Sequence, residues 1–169
     1  LVKGGVVVIY QSSRGQYWCD SAAKAIKMGI SPDGGLFVPE RIPSLDKNKL
    51  QELGKLNYIE RARTIIAPYL GDFTGDEVAA CVKEAYGDNK FDHPGVVPVH
   101  ELEKGTYILE LWHGPTCAFK DVALQMLPHL LRTSMKKTGE KSRILILVAT
   151  SGDTGKAALE GFKDIEGTS

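Results

Sequence analysis

Apolar positions follow one rule in the first half of the chain and another in the second. Up to about residue 90 they recur mainly at helical spacing. Val6–Tyr10 reads as a short strand, and a turn-rich segment, "SSRGQYWCDS", follows it. A short helix over Ala22–Met28 then ends where Gly29 can take up a left-handed cap. Ser31–Leu45 is rich in Pro and Gly, and its Leu36, Phe37 and Val38 predict an ordered, partly buried connection. Three more helices are predicted over Lys47–Leu53, Asn57–Leu70 and Gly75–Tyr86. The last opens on a capping box, Thr74 with Glu77, and carries a stripe of Val78, Cys81, Val82, Ala85 and Tyr86 before Gly87 closes it.

Past "NKFDHPGVVPVHEL" the pattern changes to strands alternating with helices: Val96–Val99, Tyr107–Trp112, a helix after Cys117, "RILILVATS", and a helix through Lys156–Phe162. Ile144–Val148 is continuously apolar, as expected of a parallel strand covered on both faces. This order predicts an α/β fold with right-handed crossovers and a doubly wound parallel sheet, preceded by a helical domain. The boundary is expected near Asp92, giving domains over residues 1–92 and 93–169.

Candidate chemistry enters through the helix after Cys117. Phe119, Val122, Ala123, Met126, Leu127, Leu130 and Leu131 mark its expected buried face, with Pro128 kinking it. Asp121 suits the first turn, where a carboxylate meets unpaired N–H groups; Lys120 does not, since a cation there costs about 0.3–1 kcal/mol. Such a position favours the neutral, nucleophilic amine, whose use is Schiff-base chemistry. The plainer alternative is a surface lysine with its stem along apolar neighbours.

If Tyr107–Trp112 and Arg143–Ala149 are parallel neighbours, "HGPTCAFK" and "TSGDTGK" leave the sheet at the same carboxyl edge, where open α/β sheets bind ligands. "SGDTG" runs into a helix start, with hydroxyl and N–H donors suited to an anion; it is equally readable as an ordinary capped turn. A phosphate-binding P-loop is excluded, because Thr150 and Ala157 stand where glycine and Ser/Thr are required. A serine-hydrolase elbow fails for want of a glycine two residues before Ser151. His100 and His113 are acid–base candidates or hydrogen-bonded loop histidines, Arg14 is an anion ligand or a solvent-facing turn residue, and Cys117 is expected to pack as a small hydrophobe.

Composition narrows the classes. In 169 residues, 21 basic and 21 acidic side chains cancel, and no basic run points to nucleic acid or a membrane surface. With 43% hydrophobic and 25% charged residues, a soluble globule is expected. Cys19, Cys81 and Cys117 are too dispersed for a disulfide framework or a zinc site, and favour the cytoplasm.

"HGPTCAFKDVALQ" (His113–Gln125) and "VATSGDTGKAA" (Val148–Ala158) resemble the two signature segments of the threonine synthase family. "YQSSRG" and "DGGLFVPE" resemble its amino-terminal domain, with Ser13 where the family has threonine. The resemblance implies a tryptophan-synthase-β-like, fold-type II enzyme using pyridoxal 5'-phosphate. It makes residues 1–92 the family's amino-terminal helical domain and 93–169 the start of its cofactor domain. Carried over, Lys120 forms the Schiff base with pyridoxal phosphate, and Asp153 lies near the cofactor's ring hydroxyl. Ser151 and Thr154 hold the substrate's α-carboxylate. The implied reaction converts O-phospho-L-homoserine and water to L-threonine and phosphate. Family members are much longer, and their glycine-rich cofactor-phosphate loop comes later than Ser169. The chain alone is therefore expected to bind the cofactor poorly, to be inactive, and to self-associate or exist only within a longer chain. A threonine-synthase-like phospho-lyase, or a non-catalytic module binding an anion or partner, are the alternatives.

Overall fold

The structure is a computed structural model that describes residues 8–87, 90–150 and 152–169. It divides into two compact units, Leu1–Ala80 with Leu130–Lys141, and Cys81–His129 with Ser142–Ser169.

The first unit is built on a small antiparallel sheet in the order β2-β1-β3: β1 (Tyr10–Ser12), β2 (Trp18–Cys19) and β3 (Phe37–Pro39). Of the strand predicted at Val6–Tyr10, Val6 and Val7 lie outside the described residues, Val8 and Ile9 are in no strand, and Tyr10 opens β1. Helix α1 (Ala22–Met28) is held at its start by Ser21, whose hydroxyl accepts from Lys24 N and donates to Asp72 Oδ2 at 2.6 Å. The Asp72 carboxylate also accepts from Ala23 N, so it satisfies donors that every helix start leaves open. Gly29 ends α1 at φ 66°, as its position predicts.

Helices α2 (Lys47–Leu53), α3 (Tyr58–Ile66, extended by a 3-10 turn over Ala67–Tyr69) and α4 (Gly75–Tyr86) follow. The Thr74–Glu77 capping box forms in both directions, and Glu77 also pairs with Lys137 at 2.9 Å. Asn57 and Glu60 make a second box at α3. Burial pushes the Tyr10 hydroxyl up to about 12, and it donates to the Tyr69 carbonyl.

One expectation for this unit fails. Leu36 and Val38 are exposed, Leu36 at 63%. The reason is position: β3 is an edge strand bonded only to β1, and Leu36 is bridged to Ile30, whose side chain also faces out. Only Phe37 turns inward enough to meet the Tyr17 ring edge-on.

In the second unit the mixed α/β class holds, but the strands pair differently from the pattern's prediction. Val99–Glu103 (β4) and Thr106–Leu109 (β5) form an antiparallel hairpin around Gly105, which sits at φ 84°. Thr106–Leu109 thus pairs with its neighbour in sequence rather than with residues 143–149. A two-residue turn at Lys104-Gly105 closes that ladder locally, whereas a parallel partner lies a long crossover away. Val96, expected to start a strand, is instead buried in a turn at φ 60°.

The apolar run after Arg143 forms no strand among the described residues. It does carry the one parallel bridge they contain, Ile144 with Thr168, supported by Ile144 N to Gly167 O and Ile146 N to Ser169 O. The bridge joins the segments on either side of α7 (Asp153–Phe162). Leu145 (64%) and Leu147 (84%) remain exposed, lacking the two covering layers such a strand needs.

The helix expected after Cys117 is broken in two: α5 (Asp121–Leu124) and α6 (Leu127–Lys137). The interruption falls at Gln125–Met126, just before Pro128, which takes the second position of α6, where no backbone donor is required. The buried face also differs from the one predicted. Met126 and Leu131 are inside, while Phe119 (59%) and Leu127 face out and Asp121, Gln125 and His129 are buried. The hydrogen bonds of Asp121, described below, hold the polar side of α5 inward.

Candidate functional site

Lys120 occupies the N-cap of α5 in helical conformation (φ −66°, ψ −20°), without a side-chain cap. Its carbonyl accepts from the amides of Ala123 and Leu124, so the backbone is committed to the helix. Its side chain is half-buried, and the amine stands 4.0 Å from the centroid of the Phe119 ring, a cation–π contact. Among the described residues no ion pair engages it.

The loop leading to Lys120 is fastened at both ends. At its entry, both ring nitrogens of His113 meet carboxylates, Nδ1 on Asp92 and Nε2 on Glu110 at 2.8 Å. These bonds, Glu110 first, raise the His113 pKa above the ordinary histidine value. The rings of His93 and Trp112 flank it. At its exit, buried Asp121 accepts from Thr116 twice, through N–H (2.8 Å) and hydroxyl (2.7 Å). Between them Cys117 is exposed at φ 56°, which corrects the expectation that it packs as a small hydrophobe: the left-handed turn throws its side chain outward.

The second loop ends in α7. Thr150 Oγ1 accepts from Gly155 N at 2.8 Å and so acts as the hydroxyl cap of this turn. A Cβ on Gly155 would lie 3.0 Å from that oxygen and 3.3 Å from Val148 Cγ1, so glycine keeps the turn closed. Asp153 and Thr154 form the exposed first turn of α7; Ser151 lies outside the described residues.

Helices α5 and α7 touch through Gly161, where a Cβ would fall 2.1 Å from the Leu124 carbonyl oxygen. Lys120 and the Asp153–Thr154 turn therefore begin two helices that pack on one another. His100 is exposed on β4 opposite Ile108, and Arg14 Nη1 donates to the Asp33 carbonyl in the first unit. Asp33, bonded first by the Ser12 hydroxyl, has its carboxyl drawn down to about 2. The bracing partners Asp92, Glu110 and Thr150 were given no such role by sequence pattern; a hydroxyl before a glycine-bounded helix start is the one signal that could have marked Thr150 as a cap.

As a class, this is a mixed α/β segment that offers a lysine at one helix entrance and a glycine-bounded turn at the entrance of a second helix packed on the first. Residues 9–86 match the family described as threonine synthase N terminus. The chain is 40% identical to a threonine synthase of Pseudomonas aeruginosa over 155 residues, 91% of this chain and 32% of that protein. It is 35% identical to threonine synthase-like 2 of Xenopus laevis, over 91% of this chain and 32% of that protein. A crystal structure of PLP-bound threonine synthase from Brucella melitensis superposes with a TM-score of 0.88 at 34% identity, over 95% of this chain and 34% of that one. The match over residues 9–86 and the similarity along most of the chain align it with the amino-terminal portion of threonine synthases. It spans about a third of the length of the threonine synthases it matches. Among the described residues no helix is long and apolar enough to cross a membrane.

Proposed function

We propose that this chain is part of an enzyme that converts O-phospho-L-homoserine and water to L-threonine and phosphate with pyridoxal 5'-phosphate. The observation that carries the reading is Lys120: an amine that no ion pair engages among the described residues, at a helix entrance, on a helix packed against the one that the "SGDTG" turn opens. These residues fit the cofactor's needs, since Lys120 is the group that would join its aldehyde. Asp153 would face its ring hydroxyl, and Ser151 and Thr154 would donate to the substrate α-carboxylate beside the open N–H groups of α7.

When bound, the cofactor supplies the electron sink for carbanion chemistry. With the cofactor in place, the Lys120 amine would take the protons that leave Cα and Cβ as phosphate departs from the γ-carbon, and would return protons to the γ-carbon and Cα when water adds at Cβ. The family match ending at Tyr86 supports a boundary near Asp92, between an amino-terminal domain (1–92) and the start of a cofactor domain (93–169). Three free, scattered cysteines accord with a cytoplasmic site. The exposed β4–β5 hairpin with Leu145 and Leu147 supports self-association of the chain when it is alone.

A second reading is a related phospho-lyase that releases phosphate without forming threonine, since the chain is as similar to a protein named threonine synthase-like 2 as to one named threonine synthase, at 35% identity each. Borohydride reduction of the whole enzyme carrying this segment, followed by peptide mapping, is expected to leave the pyridoxyl group on Lys120. Label on Lys156 refutes the assignment. Release of phosphate without threonine selects the second reading.

A further inference from the structure

We infer that Asp121 is a positioning residue that sets the geometry of the Lys120 amine through Thr116. The inference rests on the proposed role of Lys120. Asp121 follows Lys120 directly and is fully buried. Both its carboxylate oxygens are engaged by one residue, five positions back: Oδ2 by the Thr116 amide and Oδ1 by the Thr116 hydroxyl. A buried carboxylate is expensive unless its bonds are made, so these two bonds cannot be lost cheaply.

Gly114 closes the other side. A Cβ there would lie 2.5 Å from both Asp121 Cβ and Oδ2, so the carboxylate fills the only space that a side chain at 114 would use. The chain between them is a double turn, with Cys117 N donating to Gly114 O and Asp121 N to Ala118 O, both at 3.0 Å. Its Cys117 stands in the left-handed region, a conformation that persists in a non-glycine residue only where the surroundings over-determine it. Asp121 supplies that determination. It ties the loop to the first turn of α5 across Lys120, so the Lys120 backbone has one conformation and only its side chain remains free. Geometry this tight matters because a displacement of about 1 Å at a reacting group costs on the order of a hundredfold in rate.

The test uses the whole enzyme carrying this segment, with Thr116→Val, which keeps the shape and amide but deletes the hydroxyl, and Thr116→Ser, which restores it. The first readout needs no cofactor: the pH profile of competitive acylation at Lys120, measured by peptide mass spectrometry against the other lysines of the same digest. Thr116→Val is expected to change the Lys120 profile severalfold while the other lysines label as before, and Thr116→Ser to return it to within about twofold. With substrate, Thr116→Val is expected to lower kcat about tenfold or more with little change in KM. An unchanged Lys120 profile in Thr116→Val overturns the inference.

A second measurement stands independently of any variant. Hydrogen exchange in the unsubstituted protein should find the Thr116 amide strongly protected within the 113–120 loop, and exchange at the rate of an open loop amide likewise overturns it. Reduction that labels Lys156 rather than Lys120 removes the underlying functional reading. That failure is distinguishable, because Thr116 would then still be protected while Lys120 carried no cofactor.

Discussion

Gly161→Ala is a direct test of the packing between α5 and α7, the two helices that the candidate loops enter. An added Cβ would stand 2.1 Å from the Leu124 carbonyl oxygen, whereas ordinary contact begins at 3.4 Å, so α5 and α7 would have to separate by 3.4 − 2.1 = 1.3 Å. The obstacle is backbone and cannot swing aside as a side chain would. Overpacking of this kind costs about 1–3 kcal/mol, and a fixed carbonyl argues for the upper end. Against it stands the better helix propensity of alanine, up to about 1 kcal/mol. The net expectation is a loss of about 2 kcal/mol, or a fall of about 1 M in the urea midpoint at a typical m-value. Far-UV circular dichroism during urea unfolding measures it. Gly75→Ala is the comparison, since its Cβ would be 3.7 Å from the nearest atom, an Arg63 side-chain nitrogen, and only the propensity gain should appear. A midpoint for Gly161→Ala that is unchanged or raised would show that α5 and α7 do not meet as closely as the structure has them.

Two further outcomes are expected. Thr154→Val keeps shape but removes a hydroxyl donor; losing a hydrogen bond to a charged group costs about 1.5–3 kcal/mol, so substrate affinity should fall roughly ten- to hundredfold with cofactor absorbance retained. An unchanged KM would return "SGDTG" to a plain turn. Because Glu110 and Asp92 raise the His113 pKa in the folded protein, their stabilising contribution is complete below the unfolded value of 6.5 and is lost as pH rises through the raised value. The urea midpoint of the parent protein relative to His113→Gln should therefore shrink from slightly acid to alkaline pH, and a pH-independent difference would disprove the carboxylate clamp.

What the sequence made legible was what local chemistry controls. The bounds of α1, α2 and α4 follow from Gly29, from the polar start at Asp46, and from the Thr74–Glu77 box, each a set of bonds within a few residues. Strand pairing was not legible, because a strand's partner is not written in the strand. The apolar alternation near Thr106–Leu109 suits a parallel or an antiparallel neighbour equally, and the turn at Gly105 decides for the hairpin. Ile144 likewise finds a parallel partner, but it is Thr168, across α7, and not β5.

The candidate site shows a different limit. The misfit of Lys120 with a helix start marked it from sequence, since a cation opposing a macrodipole is visible without coordinates. Its support was invisible, because the bond from Thr116 to Asp121 depends on Cys117 adopting a left-handed turn that its residue type does not announce. That same support inverts the helix. Hydrophobic periodicity put Phe119 and Leu127 inside, yet Asp121 and Gln125 are the buried pair, and the two aromatic and aliphatic side chains face out. A polar stripe turned inward at the cost of an apolar stripe turned outward is not what burial alone would select. It is held here by Thr116, which satisfies the carboxylate of Asp121, and by Lys90, which donates to Gln125 Oε1 at 3.3 Å. The apolar pattern therefore misreads the helix where a loop has been fastened to hold Lys120, and the misreading itself marks the residues doing the fastening.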